Sequence, residues 1–141
     1  DQPVDIFLFS QFSVILSMVH LYSLFMVAPI FNTMMRIDHS LLEAARDGGA
    51  SEWGVLREVI FPLSLPGIII GTIFVLALSL GDFTTVRLMS GGQASSVGLA
   101  ITNMIANLQY PPAAAHAVLL LVITLTIVGL LIRFVDIRKE L

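Results

Sequence analysis

From Ile6 to Met35 the chain carries no Asp, Glu, Lys or Arg. The hydrocarbon core of a bilayer, about 30 Å thick, is crossed by roughly 20 apolar residues of helix. This run therefore predicts one complete crossing with residues to spare. Two more charge-free runs, Leu63 to Gly81 and Ala113 to Ile132, meet the same length requirement. Of the 141 residues 57% are hydrophobic and the mean hydropathy is +0.94, against about 45–50% apolar residues in soluble domains. The fold class expected is an all-α membrane protein with three spans, over about residues 6–35, 63–81 and 113–132. Within them, Pro29 removes a backbone donor and predicts a kink, while Gly67 and Gly71 form a G-x-x-x-G pair that lets two helices approach closely.

The interval between the first two runs is polar and has its own pattern. Ser40 followed by Glu43 fits a capping box, which would start a short helix. Leu41, Leu42 and Ala45 share one face of it, and Gly48-Gly49 after Asp47 ends it, because glycine accepts the positive φ of a helix terminus. A second short helix is expected from about Ser51, with Trp53, Leu56, Val59 and Ile60 on an apolar stripe and Glu52, Arg57 and Glu58 largely off it. Pro62 is expected to end that helix, and Pro66-Gly67 to set the entry to the second span through a stiff corner. Residues 40–62 thus read as a helix-turn-helix loop whose apolar face, centred on Trp53, suits docking. Lysine and arginine concentrate in cytoplasmic loops. Arg36, Arg46, Arg57, Arg133, Arg138 and Lys139 fall on one side and Arg87 alone on the other, so this loop and the C-terminus are expected in the cytoplasm.

On the opposite side, Asp82 follows the end of a membrane helix, where the helix dipole disfavours a carboxylate. It is either a solvated loop acid or a contact for a cationic solute. Ser90-Gly91-Gly92-Gln93 reads as a flexible turn. Val97, Ile101, Ile105 and Leu108 recur at helical spacing opposite Thr102, Asn103 and Asn107, which predicts a short amphipathic helix at the interface, stopped by Tyr110-Pro111-Pro112. His20, His116 and Asn103 are polar groups at or near membrane depth. Such groups face a bundle interior by default, as interhelical hydrogen-bonding residues or as ligands for a solute.

The chemistry of the chain is read mostly by exclusion. There is no G-x-x-x-x-G-K-[ST] phosphate loop, and the one lysine, Lys139, lies in the charged tail. Neither H-E-x-x-H nor G-x-S-x-G occurs, and the three histidines are scattered. Lack of cysteine removes disulfides and thiolate sites together. The net charge of −3 offers no basic excess for nucleic acid. No cofactor, metal or catalytic residue is expected. The opening Asp1-Gln2-Pro3 has no methionine and no basic segment of a leader, so further sequence is expected upstream.

The polar interval carries a resemblance. Glu43-Ala44-Ala45, then Gly49 after three intervening residues, then Val59, Phe61 and Pro62, with Pro66-Gly67 behind, is similar to the EAA loop of binding-protein-dependent ABC transporter permeases, with phenylalanine where leucine is usual before the proline. In that family the loop forms coupling helices seated in a cleft of a separate ATPase subunit, whose ATP-driven dimerisation reorients the spans. The resemblance implies docking and coupling roles for Glu43, Ala44, Ala45, Gly49, Trp53, Leu56, Pro62 and Pro66. Trp53 and Leu56 would be the buried anchors, or would pack only against the permease itself; Glu43 would cap the loop or touch the ATPase. Gly81-Asp82-Phe83 followed by Leu88-Met89-Ser90-Gly91-Gly92 is similar to the spermidine/putrescine branch, which often has Gly-Glu-Phe or Gly-Glu-Tyr there. That implies a polyamine cargo, with Asp82, Asn103 and His20 as candidate pathway residues. The same machinery with ferric iron, thiamine or sulfate is the alternative within transport. An anchor or scaffold for a cytoplasmic partner, and a membrane enzyme, are alternatives of other classes. The resemblance implies the C-terminal part of an inner-membrane permease with about three further spans upstream. It also implies a second permease, two ATPase subunits and an extracytoplasmic solute-binding protein as partners.

Overall fold

The computed structural model describes residues 7–133. Ile6, where the first span is expected to begin, and the tail residues Asp136, Arg138, Lys139 and Glu140 lie outside the described residues. Seven α-helices and one π-helical turn make up the fold, with no strand among the described residues. Three helices are long and apolar enough to cross a membrane: α1 (Gln11–Met34), the helix Glu52–Gly81, and α7 (Tyr110–Arg133).

α1 begins where Ser10 turns extended and its hydroxyl accepts the Ser13 N–H at 3.1 Å, Ser13 answering through the Ser10 N–H at 3.3 Å. The helix runs unbroken through Pro29, and the Thr33 hydroxyl donates to the Pro29 carbonyl at 2.9 Å. After it comes α2 (His39–Asp47), then α3 (Glu52–Val55), a π-helical turn over Leu56–Ile60, and α4 (Phe61–Gly81). The last three form one continuous rod. This corrects the expectation that Pro62 ends a helix and that Pro66-Gly67 makes a corner: Pro62 lies in the first turn of α4 and Pro66 lies inside it. A proline ring clashes with the carbonyl four residues earlier and cannot donate to it. The π turn resolves this by closing over five residues, the Phe61 N–H bonding to the Leu56 carbonyl, so the ladder loosens just ahead of the proline rather than breaking.

α1 and α4 pack antiparallel at the G-x-x-x-G pair. A Cβ placed on Gly67 would lie 2.6 Å from the Pro29 carbonyl oxygen and 2.9 Å from the Ile30 Cα, and one on Gly71 3.0 Å from the Met26 carbonyl oxygen. Only glycine permits this approach of two backbones. At the far end of α4 the chain folds back through α5 (Thr84–Met89) and α6 (Val97–Ala106). α5 has no counterpart in the sequence reading, because six residues leave no periodic stripe to see. Ser96 ties α6 down, its hydroxyl donating to the Asp82 carbonyl at 2.9 Å while accepting the Leu99 N–H. α6 stops at Asn107, with Leu108 at φ 59° outside the helix rather than on its stripe. Tyr110-Pro111-Pro112 opens α7 rather than merely stopping α6. A first turn suits proline, since the missing N–H has no partner there anyway.

The core is small. Val14 of α1, Val86 of α5 and Leu99 of α6 are buried together, with Met18, Met89 and Ala94 against them. Elsewhere the spans turn apolar side chains outward, Leu24 being 74% and Leu125 61% exposed. Such surfaces are stable only against lipid or other membrane helices.

Candidate functional site

The polar interval folds into two helices held at a fixed angle. Asp38, not Ser40, caps α2: its backbone is extended and its carboxylate accepts the Ser40 N–H at 3.0 Å. The helix therefore starts one residue before Ser40, which leaves Glu43 in its second turn and too far along to reach a cap; the capping box is not formed. The Ser40 N–H holds the Asp38 carboxyl below its ordinary value. At the other end Gly49 adopts φ 86°, its N–H bonding to the Arg46 carbonyl and that of Ala50 to the Ala45 carbonyl. These two bonds are the Schellman pattern that a left-handed residue after a helix allows. Ser51 then caps α3, accepting the Gly54 N–H at 3.2 Å. Across the turn Arg46 grips Glu52 through both guanidinium and both carboxylate atoms, Nε to Oε1 at 2.9 Å and an Nη to Oε2 at 3.1 Å. The sequence reading missed this pair; opposite charges six apart across Gly48-Gly49 were its signal.

Around the turn, one residue outside the docking set is buried and the set itself is mostly exposed. Val55, one turn into α3, is 1% exposed and fastens the corner from beneath. Trp53 is 71% and Leu56 41% exposed. Three residues apart on one helix, they share a face that the described residues leave uncovered. Glu43 and Ala44 on α2 are exposed, Ala45 is half-buried, and Gly49 has open space around it. Pro62 is exposed, and Pro66 is half-buried. What the arrangement offers is a rigid apolar platform on the end of a membrane-spanning helix.

The second candidate lies at the opposite end of that helix. Asp82 follows the last residue of α4 and turns the chain into α5. Its Oδ1 accepts the Thr85 N–H at 2.9 Å and its Oδ2 accepts the Tyr22 hydroxyl of α1 at 2.7 Å. Burial pushes the carboxyl upward, but hydrogen bonds from Thr85, Tyr22 and the backbone of Thr84 outweigh it, and Asp82 stays below its ordinary value. Tyr22 escaped the sequence reading because sixty residues separate it from Asp82. His20 and Asn103 do not join this pair through any hydrogen bond among the described residues. His20 lines a different hollow, with Leu16, Ser17, Leu21 and Met89, and Asn103 is exposed on α6. His116 bonds to the Pro112 carbonyl of its own helix at 2.8 Å, not to another helix. No cluster of residues able to hold a metal occurs among the described residues.

Three apolar spans, with a polar helix-turn-helix at one end of the middle helix and a hydrogen-bonded carboxylate at the other, define an all-α membrane protein. The chain belongs to the family described as the binding-protein-dependent transport system inner membrane component, whose pattern it matches over residues 3–140. It is 37% identical over 129 residues to the spermidine/putrescine transport system permease protein PotB of Escherichia coli K12, covering 91% of this chain and 45% of that protein. Its counterpart in Haemophilus influenzae is 38% identical over 89 residues, 63% of this chain and 31% of that one. The permease protein PotC of Escherichia coli K12 is 33% identical over 104 residues, 74% of this chain and 39% of that protein. The chain thus spans under half the length of the curated relatives it matches.

Proposed function

We propose that this chain is part of the permease of an ABC importer, lining the solute path and coupling it to a separate ATPase, with spermidine and putrescine as cargo. The observation that carries the coupling role is the exposed face of Trp53 and Leu56 on a turn locked by Gly49 and the Arg46–Glu52 pair, continuous through Pro62 with a membrane-spanning helix. Large apolar and aromatic side chains of this kind dominate interface energies, and a continuous helix transmits their displacement. Glu43, Ala44 and Ala45 supply the second face of the docking surface, and Pro66 lies within the helix above it. The ATPase binds and splits ATP; this chain contributes no nucleotide site. A second permease and an extracytoplasmic solute-binding protein complete the importer.

The orientation follows from charge. Arg36, Arg46, Arg57 and Arg133 flank one side of the three spans and Arg87 the other, which puts the platform and the C-terminus in the cytoplasm. The cargo assignment rests on the relatives, each a spermidine/putrescine permease by name, and Asp82, with His20 and Asn103 further along, lies on the side from which that cargo would enter.

ATP-dependent uptake of labelled spermidine and putrescine by the full complex in proteoliposomes tests the reading, with wild type beside Gly49→Asp and Trp53→Ala. Polyamine uptake that both changes abolish, with insertion intact, supports coupling and cargo. ATPase stimulation lost in both variants without polyamine entry in the wild type keeps the machine and removes the cargo. Activity indifferent to both changes removes the coupling surface.

A further inference from the structure

Beside Asp82 lies an open hollow of about 340 Å³, lined by Tyr22 of α1, Leu78 and Gly81 at the end of α4, and Phe83 and Thr84 beyond it. Its electrostatics are one-sided. The groups holding the Asp82 carboxylate are all neutral donors, Tyr22, Thr85 and the Thr84 backbone, so its charge is fixed in place and not cancelled. The Thr85 N–H bonds to Oδ1 and the Tyr22 hydroxyl to Oδ2, so both oxygens are held without a cation. Phe83, 42% exposed, and Tyr22 line the hollow, and aromatic rings attract cations.

Resting on the polyamine reading above, we propose that Asp82, Tyr22 and Phe83 form a binding site for a primary ammonium group, the first contact of a polyamine with the membrane part of the importer. The ammonium pairs with the uncancelled charge of the Asp82 carboxylate while its terminal methylene lies against the two rings. Tyr22 is the positioning residue: its hydroxyl, 2.7 Å from Oδ2, holds the carboxylate toward the hollow and fastens α1 to the end of α4. The alternative role of Asp82 is structural, holding the turn into α5 through the Thr85 N–H, and the two roles respond differently to substitution. Asparagine keeps an oxygen for the Thr85 N–H but loses the charge and the second oxygen that accepts from Tyr22; alanine loses every one of these; glutamate keeps the charge.

The experiment is uptake and binding of radiolabelled putrescine by the full complex carrying Asp82→Asn, Asp82→Ala, Asp82→Glu or Tyr22→Phe, at equal amounts of inserted protein. The site predicts that Asp82→Asn falls at least tenfold and as far as Asp82→Ala, and that Asp82→Glu retains a measurable part. Tyr22→Phe is expected to weaken binding severalfold with the carboxylate still present. Asp82→Asn within twofold of wild type, with Asp82→Ala defective, assigns Asp82 to the turn and overturns the site while leaving the cargo intact. Putrescine binding that needs Asp82 but leads to no uptake keeps the amine site and removes the polyamine cargo. Wild-type complex that binds no putrescine overturns the site.

Discussion

At the scale of single residues, two glycines and one aspartate are held to their identities for different reasons. Gly67 faces backbone, the Pro29 carbonyl and the Ile30 Cα, which cannot swing aside as a side chain could. Gly67→Ala is therefore expected to force α1 and α4 apart at a cost of about 1–3 kcal/mol, the usual range for overpacking. Gly129→Ala, with nothing within 4 Å, is expected to be neutral; the thermal midpoint of the purified complex compares them. Gly49 has space but not freedom, since its φ of 86° costs a residue with a Cβ about 1–2 kcal/mol. Asp38 gives a pH signature. A carboxyl held below its unfolded value stabilises the fold above that value, about 3.9, and loses the contribution as pH falls through the lower folded one. Amide exchange at the start of α2, corrected for its intrinsic rate, is expected to quicken below about pH 4. Asp38→Asn is expected to keep the cap and remove that step.

At the scale of elements, the π turn is the feature that sets which way Trp53 points. One turn of π-helix holds an extra residue relative to α-helix, so everything before it is rotated by about 100° against α4 compared with an uninterrupted α-helix. Pro62→Ala restores the missing donor and removes the reason for the π turn. The expected result is an intact, inserted protein whose ATPase stimulation by loaded binding protein falls at least tenfold, with cross-linking from position 53 to the ATPase showing the rotated face. This turn was hidden in the sequence, where a proline after a helical stripe reads as a stop; only the fit of Pro62 against the carbonyls before it shows that the helix continues. The spans were legible because absence of charge over twenty residues has one physical solution in a bilayer, and the Gly67–Gly71 contact because small residues at that spacing have one common use. Gly49 and Ser51 were read correctly from local chemistry alone. The Ser40 cap was read wrongly because Asp38, two residues earlier, is an equally good cap and the sequence does not rank them. Tyr22–Asp82 and Arg46–Glu52 depend on how elements meet, which periodicity does not report.

At the scale of the whole molecule, the platform and the Asp82 corner are opposite ends of one helix, Glu52–Gly81. Their relative orientation is therefore fixed by the number of residues between them. Insertion of one alanine between Val75 and Leu76 turns the ends against each other by about 100° while leaving both local structures complete. The expected phenotype is retained ATPase docking with uptake lost, read by co-purification and transport on the same preparation. Gly67 sits 15 residues from Glu52 and 14 from Gly81, roughly 22 and 21 Å at 1.5 Å per residue. The tight contact with α1, which spans Gly67 and Gly71, thus lies in the middle part of the rod, where a tilt would pivot. Tilting it by about 10° on that pivot carries each end roughly 4 Å in opposite directions, by the same helical rise. On the coupling role proposed above, motion delivered at one end of the rod would emerge at the other reversed, so that a push inward at the platform would become a swing of similar size at the Asp82 end.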